Sequence, residues 1–209
     1  MRRGASRLQN SRMSVLGAII AGGKGERLGG DKPLAPFRGR TLIEAVIERA
    51  APQVDALALN VIATRVPRLR ELFRDRFEFV CDTEAGDIGP LAGILASLLW
   101  AKGHDATWLA TFPADTPFLP RDLVGQLLES APAAAHDGAR IQGLCAIWPI
   151  DGYQHLLDAV RDNGLRSPRD AIILLGGKAC KIRREEHAFF NVNSPDDLAQ
   201  AERIAAHSS

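Results

Sequence analysis

A chain of 209 residues, 46% hydrophobic and 24% charged, has the profile of an ordinary globular protein and can bury roughly 70% of the surface its unfolded form exposes. A formal net charge of +1 excludes a surface built overall to meet nucleic acid or an anionic membrane and leaves room only for a local polyanion site. No apolar run approaches the roughly 18 residues of a membrane span, and Cys81, Cys145 and Cys180, odd in number and far apart, form no disulfide framework or CxxC pair, which predicts a reducing, cytoplasmic setting.

Arg2, Arg3, Arg7 and Arg12 precede an apolar stretch. That stretch lacks an A-x-A cleavage site and runs straight into a glycine loop, which argues against a secretory signal. Residues 1–12 are therefore expected to be a disordered basic extension, with Met13 a candidate start and 13–209 a single domain. Val15 to Ala21 reads as a first strand. Thr41-Leu-Ile-Glu44 is a capping box opening a helix with Ile43, Val46 and Ile47 on one face. Asp55 to Ala63 is the next strand, Pro67 to Arg74 a short charged helix, and Phe77 to Cys81 a third strand. The segment LAGILASLLWAK reads as a helix, Ala106 to Phe112 as a fourth strand, and Pro120 starts another helix. Beyond Pro132 the pattern loosens: Ile141 to Trp148 and Ala179 to Arg183 read as strands, and Asp151 to Arg161, Pro168 to Leu175 and Pro195 to Ala206 as helices. Strands alternating with helices predict an α/β fold with a parallel sheet covered on both faces. Ligands in such a sheet sit beyond the carboxyl ends of the strands, which directs attention to Gly22 to Lys32, Asn60, Asp82 and Asp115.

The first strand leads into AGGKGERLGGDKPL, with glycines at 22, 23, 25, 29 and 30 and cations at Lys24, Arg27 and Lys32. A Walker A loop is excluded because Gly25 and Gly30, correctly spaced, are followed by Asp31. The dinucleotide fingerprint is excluded because Leu28 stands where its third glycine belongs. The physics shared by both loops survives: glycines expose backbone N–H groups as a nest, and three cations offset polyphosphate charge, as a nucleoside triphosphate requires.

Asp115 follows an apolar strand and precedes Thr116-Pro117, a setting for an Asx-turn or a metal ligand. Mg2+ is the favoured reading, since it takes one or two carboxylates plus substrate phosphates. Asp82 is either a turn residue or a ligand, and Asn60 either a packed structural amide or a ribose or base contact. Gly89-Pro90 opens a helix whose first N–H groups suit an anion, or is simply a proline helix start. Ser194-Pro-Asp-Asp197 reads as a helix cap. The five histidines have no metal spacing, and the three tryptophans read as core or surface aromatics.

IIAGGKGERLGGDKPL resembles the signature of the molybdenum cofactor guanylyltransferase family, within the nucleotidyltransferases whose first loop reads L-A-[AG]-G-x-x-x-R-[ML]-G. Gly89-Pro-Leu-Ala-Gly93, Ala114-Asp-Thr-Pro-Phe-Leu-Pro120 and Asn191-Val-Asn-Ser-Pro195 match further stretches in order. The chain departs from that pattern at Ile20 for leucine, Leu28 for methionine and Ser194 for threonine, and the step from Gly30 to Lys32 is one residue shorter than the common GGxDK.

The resemblance implies a three-layer α/β/α, Rossmann-like, mostly parallel sheet of the nucleotide-diphospho-sugar transferase type. It implies that Ile20, Ala21, Gly22 and Gly23 contact GTP, that Lys32 binds its phosphates, that Asn60 and Asp82 join in nucleotide binding, and that Asp115 holds Mg2+. Asn191 and Asn193, with Gly89 and Pro90, are expected to meet the pterin. The expected reaction is transfer of GMP from GTP to molybdenum cofactor with loss of pyrophosphate, Lys24, Arg27 and Lys32 offsetting the departing charge. Transient contacts with cofactor-delivering and cofactor-receiving proteins are expected. The alternatives are a cytidylyltransferase for the same pterin, a sugar-phosphate nucleotidyltransferase, or a nucleotide-binding protein without chemistry. Gly22, where cytidylyl relatives more often have alanine, leans toward guanine.

Overall fold

A computed structural model describes residues 13–22, 32–82, 88–183 and 186–207. In chain order its elements are β1 (Val15–Ile20), β2 (Pro36–Phe37), β3 (Arg40–Thr41), α1 (Leu42–Ala50), β4 (Ala56–Asn60), α2 (Val66–Phe73), β5 (Glu78–Val80) and α3 (Pro90–Gly103). There follow β6 (Trp108–Pro113), α4 (Leu123–Leu128), β7 (Ala133–His136), β8 (Ile141–Pro149), α5 (Tyr153–Asp162), α6 (Pro168–Leu174), β9 (Lys178–Lys181) and α7 (Pro195–His207).

Seven strands form one sheet in the order β5-β4-β1-β6-β8-β7-β9, while β2 and β3 make a separate hairpin. β1 lies between β4 and β6, parallel to both, and β5 extends the parallel set beyond β4. The chain steps outward from β1 to β4 to β5 and returns through α3 to β6 on the other side of β1. Strand order therefore reverses between β1 and β6, and the carboxyl ends of β1, β4, β5 and β6 open on one crevice.

All six residues of β1 are buried, because helices cover both faces. The side chains alternate with the period of two that a strand imposes. Ile19 packs with Leu59, Phe112 and the α1 residues Ile43 and Val46. Leu16 and Ala18 pack on the other face with Leu109, Trp148 and the α3 residues Leu91 and Leu95. Trp148 is fully buried and its indole N–H donates to Thr111 Oγ1 at 2.8 Å, so its polar atom is satisfied inside the core. The Thr41 capping box is present: Thr41 Oγ1 accepts from the Glu44 N–H, and the Glu44 carboxylate accepts from the Thr41 N–H at 2.7 Å.

β8 runs antiparallel to both β6 and β7, so the sheet is mostly parallel, as the resemblance implies. The structure corrects the sequence reading at two places. β7 is Ala-Ala-Ala-His, a composition with little strand preference that becomes a strand because β8 and β9 flank it. Asn60, expected inside a strand running to Ala63, is instead the last residue of β4, which puts it at the mouth of the crevice. The prediction of a disordered extension falls on residues 1–12, outside the described residues. No helix among the described residues is long and apolar enough to cross a membrane.

Candidate active site

The exit from β1 is fixed at consecutive backbone groups. The Ile20 carbonyl accepts from the Ala114 N–H at 3.2 Å, and the Ala21 N–H donates to the Asn60 carbonyl at 2.8 Å. The Ala21 carbonyl then accepts from Arg65 Nη1 at 2.9 Å. These bonds tie together the ends of β1, β4 and β6 and bring Gly22 out beside two side chains. A β-carbon at Gly22 would meet Asn60 Oδ1 and Asp82 Oδ2 at 3.4 Å. Gly23, Lys24 and Arg27 lie within 23–31, outside the described residues.

Asn60 is completely buried. Its Nδ2 donates to the Val80 carbonyl at 3.2 Å and to Asp82 Oδ1 at 2.8 Å, so the amide orients the exposed Asp82 carboxylate. Its Oδ1 is buried with no hydrogen-bond partner, an unusual state for a polar atom and one that a ligand donor would relieve. Above it sits Gly93, in the second turn of α3, where a β-carbon would fall 2.2 Å from Asn60 Oδ1 and 2.9 Å from its Cγ. Gly89 is the N-cap of α3 with φ of +60°, a left-handed conformation suited to glycine, and Pro90 begins the helix. Both are exposed.

The second half of the site gathers around Asp115, two residues past β6. Lys32 Nζ lies 2.6 Å from Asp115 Oδ2 and 2.7 Å from Asn193 Oδ1. Thr116 Oγ1 is 2.8 Å from Asn191 Oδ1 and 3.2 Å from Asp115 Oδ1, and the Val192 N–H donates to the Asp115 carbonyl at 2.9 Å. The segment 191–193 is thus laced to the Asp115 turn, with Val192 buried against Phe37, Leu42 and Phe118. Behind it, Asp197 accepts from the Asn193 and Ser194 N–H groups, each at 2.9 Å. The Ser194 hydroxyl, then the Asn193 N–H, keep its carboxyl below the usual carboxylate range. The cap reading of Ser194 is borne out, since Ser194 Oγ accepts from the Asp197 N–H at 3.2 Å.

Lys32, Asp115, Asn191 and Asn193, far apart in sequence, are therefore brought to one place, and Ile20, Ala21, Gly22, Asn60 and Asp82 to a neighbouring one along the same strand ends. The asparagine oxygens of 191 and 193 are engaged within the protein, on Thr116 and Lys32. Asp115, with a side chain 23% exposed, is one hard carboxylate open to the crevice. Among the described residues no group of three or more His, Cys, Asp or Glu could hold a metal by itself. That donor set fits a cation such as Mg2+, which retains waters and completes its shell with substrate phosphates.

Three contributors were not singled out from the sequence. Thr116 and Arg65 look like any hydroxyl and any surface cation in a linear string. Gly93 did leave a signal: a glycine inside an otherwise apolar helix costs about 1 kcal/mol relative to alanine, so something must require it.

Cys145, in β8, is 2% exposed. Burial, and secondarily the Asp115 charge, push its thiol far above the usual cysteine range, so the nucleophilic thiolate is absent at neutral pH. Alkylation of the native protein followed by mass spectrometry is expected to label Cys81 and Cys180, both partly exposed, and to leave Cys145 unmodified until the chain is denatured. Labelling of all three at equal rates would contradict the burial.

Residues 17–173 match the family described as a MobA-like NTP transferase domain. A molybdenum cofactor guanylyltransferase of Rhodopseudomonas palustris (strain BisB5) is 38% identical over 91% of this chain and 94% of its own. One from Cereibacter sphaeroides (strain ATCC 17029 / ATH 2.4.9) is 36% identical over 92% of this chain and 97% of its own. The crystal structure of molybdopterin-guanine dinucleotide biosynthesis protein A from Archaeoglobus fulgidus superposes with a TM-score of 0.69 at 22% identity, over 92% of this chain and 99% of that one, and so shares the fold. On the strength of the matched domain and of relatives aligned along nearly their whole length, this chain belongs to the molybdenum cofactor guanylyltransferase family of MobA-like nucleotidyltransferases.

Proposed function

We propose that this protein is a Mg2+-dependent guanylyltransferase that joins GMP from GTP to the phosphate of molybdenum cofactor. A phosphate oxygen of the pterin attacks the α-phosphorus of GTP, the bond from that phosphorus to the bridging oxygen of the β-phosphate breaks, and pyrophosphate leaves with the electron pair. No covalent intermediate on the protein is needed, so its work is to position two anionic substrates and balance their charge. The observation that carries this reading is Lys32 Nζ, seated 2.6 Å from Asp115 and 2.7 Å from Asn193: one cation joins the proposed metal carboxylate to the proposed pterin segment.

Asp115 would hold Mg2+, which when bound supplies Lewis-acid neutralisation of phosphate oxygens. Lys32 lies where it can pass from Asp115 to a phosphate, and Lys24 and Arg27 are assigned to the departing pyrophosphate. Ile20, Ala21, Gly22 and Gly23 are assigned to the nucleotide. Asn191 and Asn193, with Gly89 and Pro90, are assigned to the pterin. Guanine is supported by the paired acceptors beside Gly22, the unpartnered Asn60 Oδ1 and the Asp82 carboxylate. Guanine carries two adjacent donors, N1–H and the 2-amino group, on one edge, whereas cytosine offers a single amino group.

A thermal-shift panel of GTP, CTP, UTP and ATP, with and without Mg2+, tests the reading. GTP with Mg2+ is expected to raise the melting temperature most, in line with about 2.7 kcal/mol at a hundredfold excess over Kd. A preference for CTP, or indifference to Mg2+, would overturn the assignment. Pyrophosphate release on adding the pterin separates an enzyme from a nucleotide-binding protein without chemistry.

A further inference from the structure

Arg65 is the only charged side chain among the described residues that is buried, at 8% exposure. It ends the single 3-10 turn Ala63–Arg65 that follows β4, in a position where an apolar residue would avoid the cost of desolvating a cation. Its Nη1 donates to the Ala21 carbonyl at 2.9 Å, and Ala21 is the last buried residue before the glycine loop. The Ala21 N–H is already held by the Asn60 carbonyl. Both ends of this residue are consequently fixed, one by backbone and one by a guanidinium.

A trans peptide is planar, with its carbonyl and the following N–H pointing in opposite directions. Holding the Ala21 carbonyl toward Arg65 therefore sets the direction of the Gly22 N–H, the first donor of the loop. Glycine 22 itself supplies no side-chain restraint on that peptide. We infer that Arg65 is a positioning residue for nucleotide binding, which aims the Gly22 N–H at the nucleotide by clamping the Ala21 carbonyl. The inference rests on the guanylyltransferase reading given above. It makes Arg65 matter for the affinity of the triphosphate and not for the transfer step, because Arg65 acts through the loop and holds no reacting atom.

The test is isothermal titration of GTP with Mg2+ on the full chain, together with steady-state kinetics, for wild type, Arg65→Met and Arg65→Lys. Methionine fills the space without a donor, and Kd and KM for GTP are expected to rise about fivefold or more while kcat at saturating GTP stays within about twofold. A smaller rise in Kd, or a fall in kcat with KM unchanged, overturns the inference, including when the melting temperature drops, since a purely structural arginine would produce that pattern. If Arg65→Met does not fold, Arg65→Lys decides: it keeps the charge but loses the fixed guanidinium fork, and a rise in Kd below about threefold overturns the inference. Wild-type protein that fails to bind GTP at all would instead remove the guanylyltransferase reading, so the two failures are distinguishable.

Discussion

Asp115→Asn is expected to lower turnover by about a thousandfold, the scale on which removal of a single charge-stabilising group acts in a preorganised site. Asparagine keeps the shape and the Oδ1 acceptor facing Thr116 Oγ1 at 3.2 Å, and the Val192 N–H bond to the Asp115 carbonyl does not involve the side chain. The fold should therefore survive. What is lost is a negative oxygen for the proposed metal and the charge opposite Lys32, whose ammonium is 2.6 Å away. The side chains of this pair are 16% and 23% exposed, so water screens part of their attraction and the stability change should be within about 1–2 kcal/mol. Pyrophosphate release measures the first effect and urea unfolding the second. Near-normal turnover in the variant would remove Asp115 from the metal role, and Asp115→Ala should behave alike.

Gly93→Ala should destabilise the protein by about 2–4 kcal/mol, although glycine to alanine inside a helix ordinarily stabilises by about 1 kcal/mol. The new methyl would stand 2.2 Å from Asn60 Oδ1, 2.9 Å from its Cγ and 3.2 Å from Ile20 Cγ2. Asn60 cannot rotate away without giving up its bonds to the Val80 carbonyl and Asp82, and each buried hydrogen bond contributes about 1 kcal/mol beyond the overpacking strain. The same displacement would turn Asp82 and weaken nucleotide affinity. Gly125→Ala is the matched control. It lies in α4 with nothing within 4 Å of an added β-carbon, and should leave stability unchanged or raise it by up to about 1 kcal/mol. Urea midpoints moving in opposite directions for the two variants verify the steric reading. A stabilised Gly93→Ala would refute it.

Much of the framework was legible because it depends on local chemistry. The burial of Val15–Ile20 along its whole length follows directly from an unbroken apolar run bounded by a glycine loop. The α1 start follows from Thr41 and Glu44 and the α7 start from Ser194 and Asp197, all within one helical turn of each other. β7 was not legible, since three alanines and a histidine carry no strand signal until two neighbours supply the ladder. The antiparallel direction of β8 was hidden for the same reason: strand direction is set by the connection and the pairing rather than by the residues of the strand.

The site divides along the same line. Glycines, cations and acids at strand exits, read together with the motif resemblance, were enough to name Lys32, Asn60, Asp82, Asp115 and the 191–193 asparagines as candidates. Their pairing was not readable, because Lys32 reaches Asn193 across 161 positions and Thr116 reaches Asn191 across 75, separations at which no local pattern survives. The sequence by itself nominated the candidate site residues and determined the fold family, through periodicity, capping, glycine placement and the motif resemblance. Tertiary structure alone decided that Arg65 is a buried clamp rather than a surface cation, that Asn60 keeps an unpartnered oxygen under Gly93, and that Lys32 bridges Asp115 to Asn193. Each of those facts depends on what desolvates or crowds a side chain, and in a folded protein the atoms responsible come from elsewhere in the chain.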